Sequence, residues 1–324
     1  SVLIGSSLVK ADIYDEIIVK GNERLSVETV LMFSGLKLGV DLSQNDFDNI
    51  MQFADDLKIH SEKILTNRNI GLIFEKNSTR TRLSFQVGIN QLDGNYIDVR
   101  FEELNLNRFE SYEDTFEIMS CYLDYLVFRT TDHKKLELAN RYFKKPIINA
   151  LSDLSHPCQA ISDIYTLKEN FGTINNLNIV WMGDMNNVLF SFLEVISFAK
   201  NTKVDVFTNE NIFTQNQDKF YIDENINFHF CINEEIISKA NCIMTDVFNS
   251  MNDKVDKQNL LSEFQVNNKI MSMTDDKSVF MHCLPAKIGS EVTEDVIKGK
   301  KSIVLSQAKN RLIAQKGILK WLSI

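Results

Sequence analysis

Asn69-Ile70-Gly71-Leu72-Ile73-Phe74-Glu75-Lys76-Asn77-Ser78-Thr79-Arg80-Thr81-Arg82 begins as an apolar run of strand length, breaks into a polar turn, and leads into helical spacing from Leu83 to Leu92. Strand, loop and helix in that order are half of a βαβ unit. Upstream, Ser43 is placed to cap a helix reaching about Ser61, because Phe47, Ile50, Met51, Ala54 and Leu57 fall at helical intervals. Downstream the alternation repeats, with strand candidates at 96–99, 125–128 and 146–149. A second series follows at 177–182, 203–207, 242–246, 279–284 and 303–305. Strands alternating with helix-length segments imply parallel sheets. The fold class is therefore α/β, with two doubly wound parallel-sheet domains joined by bridging helices. The bridges are 156–171 and a last helix whose Ala308, Leu312, Leu319 and Leu322 share a face. Residues 1–36 hold no motif that assigns them a role.

With 324 residues and 44% hydrophobic content, the chain can bury two cores. Its net charge of -9 argues against general affinity for nucleic acid or anionic membranes, which needs an excess of Lys and Arg. No apolar run approaches the ~20 residues that span a bilayer, and the early acidic residues Asp12, Asp15, Glu16 and Glu23 speak against a transit peptide. Five cysteines, at 121, 158, 231, 242 and 283, stand singly with no Cys-x-x-Cys pair, which fits a reduced, cytoplasmic setting.

Three strings carry candidate chemistry. In Ser78-Thr79-Arg80-Thr81-Arg82, hydroxyls, backbone amides and guanidinium groups converge on a helix N-terminus, a natural seat for phosphate. Taken alone, it also reads as a polar cap with solvated arginines. His156-Pro157-Cys158-Gln159 opens a helix at a strand end, with His156 and Gln159 on one face, able to bind a carbonyl or amide. A solitary histidine is more often structural. Phe280-Met281-His282-Cys283-Leu284-Pro285 delivers a cysteine to the end of a strand, where such a residue is usually apolar filler. Two of the three prolines fall inside these strings, so backbone geometry matters there.

Together, and in this order, the strings resemble the aspartate and ornithine carbamoyltransferase superfamily, with its Ser-x-Arg-Thr-Arg and His-Pro-x-Gln signatures. His282 to Pro285 resembles the ornithine branch. The resemblance runs from about Leu42 to Leu322. It implies transfer of a carbamoyl group from carbamoyl phosphate to the side-chain amine of L-ornithine, giving citrulline and phosphate, in arginine metabolism. It further implies a carbamoyl phosphate domain of residues 1–155 plus the C-terminal helix 308–324, and an ornithine domain of residues 156–307.

The resemblance also assigns residues. Ser78, Thr79, Arg80, Thr81, Arg129 and Arg311 would hold the phosphate, with His156 and Gln159 at the carbamoyl end, Cys283 and Leu284 beside it, and Asn105 reaching a neighbouring subunit's site. Asn187, in Gly183-Asp184-Met185-Asn186-Asn187, and Asp246, Ser250 and Met251 would bind ornithine. Thr81, Arg129 and His156 would donate to the carbonyl oxygen, while Asp246 and Cys283 bind the attacking amine. Cys283 would be an orienter or proton acceptor rather than a nucleophile. No metal or other cofactor is implied. Homotrimeric assembly is.

The chain departs from the family pattern at Asn105 (usually Gln), Asn252 (usually Gly), Lys287-Ile288 and Gln307-Ala308-Lys309. Those departures leave room for another acceptor amine, such as putrescine or an N-acylated ornithine, or for a catalytically silent regulatory relative. The parallel sheets also admit a nicotinamide-dependent dehydrogenase, against which stands the lack of Gly-x-Gly-x-x-Gly after any strand. Biosynthetic and degradative members share these residues, so the direction of flux is not legible.

Overall fold

The computed structural model describes residues 42–107, 109–219, 223–250 and 255–324; the expectations for Met251 and Asn252 lie outside them. Helix α1 (Gln44–Ile59) starts where expected. Ser43 and Asp46 form a reciprocal capping box, and Phe47, Ile50, Met51, Ala54 and Leu57 are its buried face.

The first sheet holds β1 (Asn69–Phe74), β2 (Asn95–Val99), β3 (Tyr125–Arg129) and β4 (Ile147–Leu151), in the order β2-β1-β3-β4 and wholly parallel. Helix α2 (Thr79–Gln91) joins β1 to β2, α3 (Tyr112–Tyr122) leads into β3, and α4 (His133–Tyr142) links β3 to β4. The second sheet holds β5 (Asn178–Met182), β6 (Lys203–Phe207), β7 (Ile226–His229), β8 (Cys242–Thr245) and β9 (Val279–His282), also parallel, in the order β7-β6-β5-β8-β9. Central strands such as β1, β3 and β8 are buried almost throughout, which is why they read as unbroken apolar runs.

Strand order reverses between β1 and β3 in the first sheet and between β5 and β8 in the second. The connections leaving neighbouring strands there depart in opposite directions, opening a crevice at the carboxyl ends of the strands. The first crevice receives the Ser78–Arg82 turn and Arg129. The second receives Gly183–Asn187 and Asp246, with Cys283 just beyond β9.

Two helices connect the halves. Helix α5 (Pro157–Phe171) leaves β4 and packs on α6 (Asn187–Ile196) of the second sheet, while α12 (Val304–Ser323) returns to pack on α1, α2 and α5 and touches β9. Four short helices, α7 (Glu210–Asn216), α8 (Glu234–Ser238), α9 (Gln258–Leu261) and α10 (Asn268–Met273), lie between strands of the second sheet, and α11 (Glu294–Ile297) follows β9.

The structure corrects four expectations. Residues 303–305 are not a strand: Ile303 caps α12, and the strand-like signal is one bridge between Ser302 and Phe280. Helix α2 begins at Thr79, four residues before its apolar periodicity, because its first turn is polar by design of the site. Strand β7, a short sheet edge, was not expected. The single apolar face assigned to α12 is also too narrow, since Gln307, Asn310, Arg311, Gln315 and Lys316 are buried beside its apolar residues. No helix among the described residues is long and apolar enough to cross a membrane.

Helix α12 approaches α1 through Gly317: a Cβ there would lie 2.7 Å from the Ile50 carbonyl oxygen and 3.1 Å from the Ala54 nitrogen. Backbone cannot swing aside as a side chain can. Gly317→Ala is therefore expected to cost roughly 1–3 kcal/mol, read as a lower midpoint in chemical denaturation. An unchanged midpoint would show that the two helices separate freely.

Candidate active site

The first crevice is built around the N-terminus of α2. Ser78 occupies the capping position but makes no side-chain cap; its hydroxyl instead accepts from Arg129 Nη1 at 3.3 Å. The first-turn amides of α2 are left to face whatever enters, and the helix dipole makes an anion the favoured guest. Arg311 arrives from α12, 3% exposed, donating through Nη1 to Gln159 Oε1 and through Nη2 to Thr81 Oγ1, each at 2.7 Å. Burial, then the charges of Arg311 and Arg80, pull the Arg129 guanidinium down to about 10. Burial, with Arg80 adding to it, lowers Arg311 as well. The three arginines thus share one region.

Their partners distinguish them from neighbouring cations. Arg82 pairs with Asp98, and Lys135 with Glu75. Among the described residues, no carboxylate pairs with Arg80, Arg129 or Arg311, and the acceptors of Arg129 and Arg311 are neutral oxygens. Positive charge is left uncancelled. His156 caps α5 beside them, its backbone amide donating to Ser191 Oγ at 2.8 Å. Burial first, then Arg311 and Arg129, hold its pKa well below the ordinary histidine value, so the ring is neutral at neutral pH and one nitrogen can donate.

The second crevice places an acid and a thiol together. Gly183 has φ 124°, and a Cβ there would meet Phe248 Cε1 at 2.7 Å, so only glycine fits. Asn186 caps α6 and donates Nδ2 to Asp246 Oδ2 at 2.8 Å. Cys283 donates its thiol to Asp246 Oδ1 at 3.1 Å. Burial, reinforced by the Asp246 charge, drives the thiol pKa well above its usual value; Cys283 is a protonated donor. Its neighbour His282 is fixed from both sides. Nδ1 accepts from the Leu284 amide at 2.9 Å, so Nε2 carries the proton toward Glu291 Oε1 at 3.1 Å. The ligand atoms of Asp246, His282 and Cys283 lie within 4.8 Å of one another. Holding a metal would require the thiol to lose its proton and His282 to release one of these bonds.

Of the remaining expected residues, Thr79 is exposed in the first turn of α2, and Leu284 is half-buried with φ 57° before a cis Pro285. Asn187 donates Nδ2 to the Ser152 carbonyl at 2.6 Å, tying the turn after β5 to the loop after β4. Ser250 is half-buried beyond β8, and Asn105 is exposed on a 3-10 turn, outside these hydrogen bonds. Reading the sequence missed Asn186, Ser191, Asp163, Gln307 and the Lys257–Asp184 ion pair, which closes at 2.8 Å. Asn186 sits inside a motif already singled out. Asp184 shares that motif and Gln307 was noted only for departing from the family pattern, while Ser191, Asp163 and Lys257 give no local signal.

Comparison with known proteins follows the same division. Residues 38–169 match the family described as aspartate/ornithine carbamoyltransferase, carbamoyl-P binding domain, and residues 175–322 match its Asp/Orn binding domain. The chain is 38% identical over 299 residues to an ornithine carbamoyltransferase of Methanosphaera stadtmanae, covering 87% of this chain and 97% of that one. It is 39% identical over 304 residues to one of Brucella suis, covering 89% and 96%. The crystal structure of ornithine carbamoyltransferase from Thermus thermophilus superposes with a TM-score of 0.79 at 31% identity, over 92% of this chain and 99% of that one.

Uncancelled charge on Arg80, Arg129 and Arg311 predicts that inorganic phosphate raises the thermal midpoint. Binding to the folded state alone stabilises by about 2.7 kcal/mol at a hundred times Kd. Arg80→Ala is expected to lose most of that increment in a thermal scan with and without phosphate; an equal rise in both proteins would contradict the anion site.

Proposed function

The chain belongs to the aspartate/ornithine carbamoyltransferase family and is a carbamoyl-transferring enzyme; we propose that it carries the carbamoyl group of carbamoyl phosphate to the side-chain amine of L-ornithine, forming L-citrulline and phosphate in arginine metabolism. The observation that carries this reading is the placement of Arg129 and Arg311 over the Ser78–Thr81 turn, without acidic partners, within electrostatic reach of Cys283. That is a dianion site facing an amine site.

Arg80, Arg129 and Arg311, with Ser78, Thr79 and Thr81, hold the phosphate, and the first-turn amides of α2 complete the cradle. Neutral His156, Thr81 and Arg129 donate to the carbonyl oxygen as negative charge grows there, while Gln159 orients the carbamoyl amide. Asp246 accepts from the ornithine amine. Cys283, a protonated thiol hydrogen-bonded to Asp246, supports the orienting role over the proton-accepting one, with Leu284 beside it. As the amine nitrogen bonds to the carbonyl carbon, the carbon–oxygen bond to phosphate breaks, and the departing phosphate takes up the amine's proton. Asn187, Ser250 and Met251 recognise the amino-acid end.

On this reading residues 1–155 with helix 308–324 form the carbamoyl phosphate domain, and 156–307 the ornithine domain. We place the enzyme in the cytoplasm, supported by five free cysteines, and as a homotrimer. Exposed Leu83 and Val87 on α2 and Tyr96 and Ile97 on the edge strand β2 offer an apolar face for a second copy, and exposed Asn105 is free to reach its site. Asp246, Ser250 and Met251 together favour ornithine over an acceptor lacking an α-amino acid group.

A colorimetric citrulline assay tests the reaction. Ornithine is expected to turn over at least about a hundredfold faster than putrescine, which leaves the amino-acid contacts unpaired, or N-acetylornithine, whose α-amine is blocked by the acyl group. A faster rate with putrescine would overturn the acceptor, and no product from any amine would overturn the reading. For Cys283→Ser, the KM for ornithine is expected to rise about tenfold with a fall in kcat, while the KM for carbamoyl phosphate holds; an unaltered ornithine response would count against its place in the site.

A further inference from the structure

Asp163, on the second turn of α5, is 0% exposed and lies in neither crevice. Its Oδ1 accepts two hydrogen bonds, from Gln159 Nε2 and from Gln307 Nε2, each at 2.7 Å. A carboxamide has one donating end and one accepting end. Pinning both Nε2 groups to one carboxylate oxygen therefore turns both Oε1 atoms the other way. Gln159 Oε1 accepts from Arg311 Nη1 at 2.7 Å, and Gln307 Oε1 accepts from the His282 backbone amide at 2.9 Å. Reversing either amide would set oxygen against oxygen at Asp163 and present an NH2 group to Arg311 or to the His282 amide. Gln159 and Gln307 are each 1% exposed, so water cannot readily make good the loss.

We propose that Asp163 is a positioning residue whose carboxylate oxygen locks Gln159 and Gln307 in the one orientation that holds the Arg311 guanidinium over the Ser78–Thr81 turn and the His282–Leu284 backbone beside Asp246. One buried acceptor thereby sets both halves of the site. The inference rests on the functional reading above and extends it to a residue outside the substrate contacts. Burial pushes the Asp163 carboxyl up to about 7, against the opposing hydrogen bonds of Gln307 and Gln159. Its Oδ2 has no protein partner among the described residues and is where a proton would sit, so Oδ1 remains an acceptor in either state. Acceptor geometry, rather than charge, is what the lock requires.

The test compares Asp163→Leu with Asp163→Asn, measuring calorimetric affinity for phosphonoacetamide, a non-hydrolysable analogue of carbamoyl phosphate, and the KM for ornithine. Leucine keeps the branched shape, with bulkier methyls in place of the oxygens, and removes the acceptor; about tenfold weaker analogue binding and a raised ornithine KM are expected, as for loss of a buried bond to a charged network. Asparagine presents a carbonyl oxygen at the same place, and is expected to restore both values to within about threefold of wild type. Leucine binding within twofold of wild type, or asparagine as weak as leucine, would overturn the lock. If the leucine variant does not fold, Gln307→Met breaks the far arm alone and is expected to raise the ornithine KM more than it weakens the analogue; an unchanged ornithine KM overturns the proposal. Wild-type citrulline formation separates the two levels. An active wild type with an indifferent Asp163→Leu sinks this inference only, whereas a wild type that binds no analogue sinks the reading of the reaction and this inference with it.

Discussion

Three guanidinium groups held together without acidic partners are the constraint around which the rest of the molecule is arranged. Like charges in a poorly solvated crevice repel, and burial first, then repulsion from Arg311 and Arg80, lowers the pKa of Arg129. A carboxylate would relieve it but would also cancel the field that a dianion needs. The protein ties Arg129 and Arg311 to neutral oxygens instead, Ser78 Oγ, Thr81 Oγ1 and Gln159 Oε1, which direct the groups while leaving their charge intact. On the proposed function, part of the anion's binding energy would come from repulsion already built into the fold.

Such an arrangement needs rigid supports from distant parts of the chain. The β1/β3 switch point contributes the helix N-terminus and Arg129, and the β5/β8 switch point contributes the turn bearing Asn186 and the acid Asp246. Neither sheet can supply Arg311. Helix α12 does so by running back across α1, α2 and α5, which forces polar side chains into the interior of a helix that must also pack. Their burial is tolerated because many bond one another or nearby backbone: Gln307 to Asp163, Asn310 to Thr166 and Glu169, Lys316 to the Leu57 carbonyl. Connecting helix and site wall are one element.

Much of the fold was readable along the chain, and the reasons differ by element. Central parallel strands are buried on both faces, so Ile70–Phe74, Leu126–Phe128 and Cys242–Thr245 declare themselves as apolar runs. Strand β7 does not, because it is a four-residue edge strand whose Asn227 and His229 break the apolar run, His229 stacking on Phe207 and bonding Asp205. Residues 303–305 look like a strand because Ile303, Val304 and Leu305 are apolar, but the sheet they would join ends at β9 and their backbone turns helical. In the site, Arg80, His156, Asp246 and Cys283 stood out because each lies in a short string with a fixed local geometry. Ser191, Asp163 and Gln307 did not, since their importance is a matter of what faces them.

The order of residues by itself determined the class of the fold, the crevice ends where function would sit, the net negative charge, and the strings shared with the carbamoyltransferase family. These are properties of local periodicity, turn chemistry and composition. The tertiary structure decided which polar atoms meet. Thr81 and Arg311 are 230 positions apart, and Asp163 and Gln307 are 144; such pairings depend on how helices cross and how far each is rotated about its axis, and spacing along a chain carries no record of either.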